Sequence, residues 1–109
     1  MYVRSVGDSN SFESVGERAG LLTAVADPIR LEIIDRLLRD GTRCVCDLQP
    51  APPIPGNQFS YHLKVLRDCG LVTAARRGRW VDYTLAEDAL DRLHAALPQR
   101  IEARQGARV

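Results

Sequence analysis

The sequence predicts a mostly α chain of the α+β class, about five helices and one two-stranded β-hairpin, and three observations carry that expectation. From Asn57 the apolar residues Phe59, Leu63 and Leu66 recur at helical spacing, leaving Gln58, Ser60, Tyr61, Lys64 and Arg67 for other faces. Gly70 follows, the residue type for which a left-handed helix cap costs least. Beyond it the apolar period shortens to alternation, so Leu71 to Ala75 and Trp80 to Leu85 read as two short strands joined by the cationic turn Arg76-Arg77-Gly78-Arg79. A helix, a tight stop and a ribbon with a basic tip make the distal half of a winged helix-turn-helix.

The other elements follow in chain order. Residues 1–10 read as a flexible N-terminal tail, residues 11–103 as one domain and residues 104–109 as a flexible C-terminal tail. A first helix is expected over Phe12 to Val25, with Val15, Leu22 and Val25 as its apolar positions. Asp27-Pro28 is a stronger signal, because Asp caps a helix and Pro suits its first residue. The helix then runs through Leu38 to a stop at Gly41, with Leu31, Ile34, Leu37 and Leu38 as its core stripe. Arg43 to Gln49 is a short helix at best, because Pro50, Pro52, Pro53 and Pro55 forbid its extension. Ala86 to Ala103 forms the last helix, with Leu90, Leu93, Leu97 and Ile101 on one stripe and a kink or break near Pro98.

A chain of 109 residues buries a modest core, and an obligate dimer is expected. There is no apolar run of membrane-spanning length, and Met1 to Asn10 lacks the pattern of a signal peptide, so a cytoplasmic protein with no membrane partner is expected. Between Gln58 and Tyr83 five basic residues (Lys64, Arg67, Arg76, Arg77, Arg79) face two acidic ones (Asp68, Asp82), although the whole chain carries a net charge of only +1. Positive charge gathers where phosphate would sit, so double-stranded DNA is the expected partner. Lys64, Arg77 and Arg79 are expected to contact phosphate, and Gln58, Ser60 and Tyr61 to reach base edges. Catalysis is not expected. There is no CxxC redox motif, no Gly-rich phosphate loop and no cysteine with an arginine spaced to cradle an oxyanion.

Four segments in this order and spacing, ADPIRLEIIDRLL, CVCDL, SYHLKVLRDCGLV and GRWVDYTL, resemble the ArsR/SmtB family of bacterial metalloregulatory repressors over residues 20–97. The resemblance implies a homodimer with a winged helix-turn-helix in each subunit, which binds operator DNA and leaves it when a toxic metal or metalloid ion binds. No cofactor is then required for DNA binding itself. Residues 57–69 would be the recognition helix, with Asn57, Gln58, Ser60 and Tyr61 near its DNA-facing start, and the first and last helices would pair two subunits. The chain departs from the family pattern at Pro55-Gly56-Asn57, commonly Ser-Gln-Pro, and at Tyr61, commonly Arg or Gln.

Within the family, Cys44-Val45-Cys46-Asp47-Leu48 resembles the inducer site of the arsenic-sensing and cadmium/lead-sensing branches. Two residues apart on a regular helix lie about 200° apart around the axis, so binding one ion through both thiolates would unwind or shift the start of the short helix. Arg43 and that helix start would also lower the thiol pKa values. Residues 1–43 contain no cysteine, so a four-thiolate site is excluded, and Gln49 stands where the arsenic branch often has a third Cys. As(III) or Sb(III) is therefore the expected inducer, with Cd(II), Pb(II) and Zn(II) as other thiophilic candidates. Cys69 is a third candidate ligand, because LRDCGLV resembles one ligand position of a different cadmium/lead branch, although that branch's companion Cys falls at Val65. His62 reads as a packing residue or a phosphate contact, and His94 as a dimer-interface residue. The competing readings are a repressor that senses oxidants or sulfur species through its thiols, and a winged helix without an inducer.

Overall fold

The computed structural model describes the backbone of residues 5–100 and the side chains of residues 14–100. The elements are α1 (Ser5–Val25), α2 (Pro28–Asp40), β1 (Arg43–Cys44), a 3-10 turn (Val45–Asp47), α3 (Gly56–Asp68), β2 (Val72–Arg77), β3 (Trp80–Leu85) and α4 (Ala89–Ala96). The described residues thus form four α-helices and one antiparallel sheet in the order β1-β3-β2. The α+β winged-helix expectation holds, with the counts corrected to four helices and three strands.

Asp27 begins α2 as expected: its Oδ1 accepts from the Ile29 amide at 2.8 Å and the Arg30 amide at 3.1 Å, with Pro28 at the first helical position. The end of α3 is a Schellman motif. Gly70 has φ +75°, its amide bonds the Arg67 carbonyl at 3.0 Å, and the Leu71 amide bonds the Leu66 carbonyl at 3.1 Å. Leu66 and Leu71, both fully buried, supply the apolar contact that accompanies such a cap.

One core holds the elements together. Leu21 and Ala24 of α1, Ile33, Ile34 and Leu37 of α2, Leu48 after the 3-10 turn, Phe59, Leu63 and Leu66 of α3, Tyr83 of β3, and Ala89, Leu93 and Ala96 of α4 meet in it. Several stripe assignments therefore change. Leu31 and Leu38 are 48% and 52% exposed, and Ile33 takes their place. At 100° per residue, Leu31 and Leu38 fall roughly 90–110° from the centre of the arc through Ile33, Ile34 and Leu37. In α1, Val15 is exposed and the buried positions are Leu21 and Ala24.

The boundaries shift too. Helix α1 starts at Ser5, so it takes in residues 5–10 that read as tail; residues 1–4 and the tail 104–109 lie outside the described residues. Helix α4 is shorter than its apolar stripe suggested. It ends at Ala96, because Leu97 precedes proline and is extended at ψ 155°, and Leu97 is exposed. Ile101 to Ala103 lie outside the described residues. Strand β2 continues through Arg76 and Arg77, which leaves a two-residue turn, Gly78-Arg79, with Gly78 at φ +63°.

Candidate functional site

With Phe59, Leu63 and Leu66 committed to the core, α3 presents Asn57, Gln58, Ser60, Tyr61 and Lys64 to solvent along one surface. Tyr61 is 60% exposed, and its ring meets His62 edge-on at 5.7 Å between centroids. The four polar residues expected near the start of this helix, Asn57, Gln58, Ser60 and Tyr61, are thus accessible together. Lys64 pairs with Asp68 one turn later at 2.7 Å, an exposed i,i+4 bridge.

On the wing, Arg77 is held by Asp82 through two hydrogen bonds, Nε to Oδ2 at 2.7 Å and Nη2 to Oδ1 at 3.0 Å. This contact holds the Asp82 carboxyl below the usual carboxylate range and raises the Arg77 guanidinium still further. Arg79 lies 5.9 Å over the ring of the exposed Trp80. Of the three cations expected to meet phosphate, two therefore carry a carboxylate partner of their own. A guanidinium held by Nε and one Nη2 hydrogen keeps three N–H groups for a further acceptor.

Contacts that periodicity could not reveal orient α3. His62 turns inward from the exposed surface, and Arg30 Nη1 donates to its Nδ1 at 2.8 Å. Arg30 Nε also donates to the Ala24 carbonyl at 2.6 Å, which links the end of α1, the start of α2 and the middle of α3. At the other end, Arg67 donates to the Tyr83 hydroxyl at 3.2 Å and ties α3 to β3. Of the two roles expected of His62, packing or a phosphate contact, its inward contact with Arg30 favours packing.

Cys44 and Cys46 converge without a helix. Cys44 ends β1 in extended geometry, φ −63° and ψ 145°, and Cys46 sits in the 3-10 turn, so their Sγ atoms approach to 2.7 Å. The expectation that gripping one ion must first unwind a helix is thus corrected, because the turn already directs both sulfurs to one side. Cys46 is exposed and Cys44 half-buried. The thiol of Cys46 is pushed up, chiefly by its hydrogen bond with Cys44 and further by slight burial and the charges of Cys44 and Asp47. The lowered thiol pKa expected from a helix start does not hold at Cys46, because a three-residue 3-10 turn has almost no aligned dipoles.

Two anchors fix this turn. Arg36 of α2 donates to the Asp47 carbonyl at 2.7 Å, and the buried Leu48 plugs the core beneath. Strand β1 then pairs with β3, Arg43 opposite Tyr83 and Cys44 opposite Asp82. The exposed Thr42 extends the relationship, its Oγ1 lying 2.8 Å from Thr84 Oγ1. The dithiol therefore sits at the edge of the wing sheet, a placement the sequence reading missed. Its only signal was the alternation Thr42-Arg43-Cys44, too short to mark a strand.

Cys69 stands elsewhere, capping α3 with its Sγ on the Leu66 carbonyl at 3.5 Å. Among the described residues no three His, Cys, Asp or Glu side chains stand where one ion could be held. The structure does not bring Cys69 to the pair within one chain, and the exposed His94 joins no such group.

The family model "Bacterial regulatory protein, arsR family" matches residues 27–74, from the cap of α2 through α3 into β2. The arsenical resistance operon repressor of Bacillus subtilis is 40% identical over 70 residues, which cover 64% of this chain and 67% of that protein. The chain belongs to the ArsR/SmtB family. Another member, the transcriptional repressor SmtB of Mycobacterium tuberculosis, is 44% identical over 70 residues, 64% of this chain and about half (51%) of that protein. A crystal structure described as a possible transcriptional regulator for arsenical resistance matches with a TM-score of 0.62 at 35% identity, over 69% of this chain and 77% of that one. Family membership makes this chain a DNA-binding transcriptional regulator of the repressor type and not an enzyme. No helix among the described residues is long and apolar enough to cross a membrane.

Proposed function

We propose that this ArsR/SmtB member binds operator DNA as a homodimer and is released when As(III), or a related thiophilic ion such as Sb(III), binds Cys44 and Cys46. Exposed Asn57, Gln58, Ser60 and Tyr61 lie on one helix of a size the major groove admits, and are assigned to that groove. Lys64, Arg77 and Arg79 are assigned to phosphate. Dimerisation is assigned to α1 and α4, which pack on each other, with exposed apolar Val15 on α1 and Leu97 just past the end of α4.

The observation that carries the inducer assignment is the 2.7 Å approach of two accessible thiols in a relative of arsenical resistance repressors. Soft sulfur donors suit trivalent metalloids, and two thiolates with an exogenous hydroxide or third sulfur complete a three-coordinate As(III). The same donor set fits Cd(II) and Pb(II) less well, because among the described residues of one chain no third ligand is grouped with the pair.

Fluorescence anisotropy on the DNA upstream of the gene, under reducing conditions, tests the assignment with As(III), Sb(III), Cd(II), Pb(II) and Zn(II). Arsenite should weaken binding by about 10-fold or more, and a Cys44→Ser, Cys46→Ser protein should not respond. Release by Cd(II) or Pb(II) alone would transfer the assignment to a site that recruits Cys69. Release by peroxide in the absence of metal would replace ion binding by thiol oxidation.

A further inference from the structure

The route from the dithiol to the DNA is open to inference, because the strand that ends in Cys44 lies directly against the wing. Cys44 is in register with Asp82 on β3, and directly opposite residues of an antiparallel pair project to the same face. Asp82 in turn grips Arg77 at 2.7 and 3.0 Å. An ion held between two thiolates fixes the separation and the direction of both sulfurs at once. Loading the pair therefore fixes where the Cys44 side chain stands relative to Cys46, which lies beside it.

The Cys46 side of the pair is anchored, by Arg36 on the Asp47 carbonyl and by buried Leu48. The Cys44 side is a two-residue edge strand. Any adjustment on loading is thus taken up at β1, against Asp82. We infer that Asp82 is the positioning residue that couples the Cys44–Cys46 dithiol to the wing, holding Arg77 in place while the thiols are free and losing its two-point grip when they are occupied. This rests on the reading of the dithiol as the inducer site, and it locates the response in the wing and not in an unwound helix.

Trp80 offers a reporter, since it is the only tryptophan and lies in register with Arg77. Phenylarsine oxide, which bridges neighbouring thiols, is titrated into the DNA-free chain and its operator complex. One equivalent should change Trp80 emission in the wild type, with no change in Cys44→Ser, Cys46→Ser. In Asp82→Asn the emission change should fall to half or less, and weakening of operator binding should drop from about 10-fold to about 2-fold. Arg77→Lys keeps the charge but not the two-point grip, and should behave like Asp82→Asn.

Wild-type responses in either variant, or unchanged Trp80 emission once both thiols are blocked, would overturn the inference. Full responses to phenylarsine oxide alongside none to arsenite would uphold the coupling and refute the arsenite assignment.

Discussion

Arg30 Nη1 donates to His62 Nδ1 at 2.8 Å across the junction of α2 and α3. An arginine can only donate, so Nδ1 must be the unprotonated nitrogen of the imidazole. The contact sets how α3 leans on α2, although neither residue belongs to the exposed surface of α3. His62→Ala should cost about 1 kcal/mol of stability in urea denaturation. It should also weaken operator binding without changing the slope of affinity against salt, because no phosphate contact is removed. A flattened salt dependence would instead make His62 a phosphate ligand.

Asp27 caps α2 with two amide hydrogen bonds, and Asp27→Ala should cost about 1 kcal/mol at neutral pH. Partial burial alone would raise this carboxyl's pKa. The amides of Arg30 and Ile29, helped by the guanidinium charge of Arg30, outweigh burial and bring it below its ordinary value. A carboxyl depressed in the folded state contributes stability above its unfolded pKa, about 3.9, and loses it as pH falls through the folded value. The difference between wild type and Asp27→Ala in urea midpoint should be full at pH 7 and shrink below about pH 4.

Gly70 sits at φ +75°, and a β-carbon added there would lie 3.2 Å from Arg92 Nη1. The arginine tip can move, so the backbone carries the main penalty. Gly70→Ala should destabilise by about 1–2 kcal/mol in thermal or urea unfolding. Arg92, which donates to the Cys69 and Gly70 carbonyls at 2.9 and 3.0 Å, would then lose part of its hold on this corner.

The two classes of DNA contact separate by salt and by sequence. Arg79 has no carboxylate partner in the contacts of the described residues, and Arg79→Ala should weaken all DNA alike and lower the salt slope by about 1. Gln58→Ala should instead cost about 1–3 kcal/mol of discrimination between operator and random duplex, read by competition anisotropy. Unchanged discrimination after replacing Gln58, Ser60 and Tyr61 together would exclude base-edge contacts by this surface.

Much of this architecture is legible residue by residue. Phe59, Leu63 and Leu66 mark the buried face of α3, Asp27-Pro28 the start of α2, Gly70 the stop and Gly78 the turn. Each is a local matter of helical period, amide capping or positive φ, decided within a few residues of chain. The two thiols of Cys44 and Cys46 are equally visible as a soft donor pair. Leu31 and Leu38 were misjudged because a wide apolar arc does not say which part of it faces the other helices.

What the chain alone determined, then, was its family, its helix-turn-helix, its wing and the presence of a dithiol. Tertiary structure alone decided that the dithiol abuts Asp82, that Asp82 holds Arg77, that Cys69 stands apart and that Arg30 reaches His62. The physical reason is range: capping and periodicity act over one or two turns, whereas β1 meets β3 across the intervening α3 and β2, a contact that exists only in the packed fold.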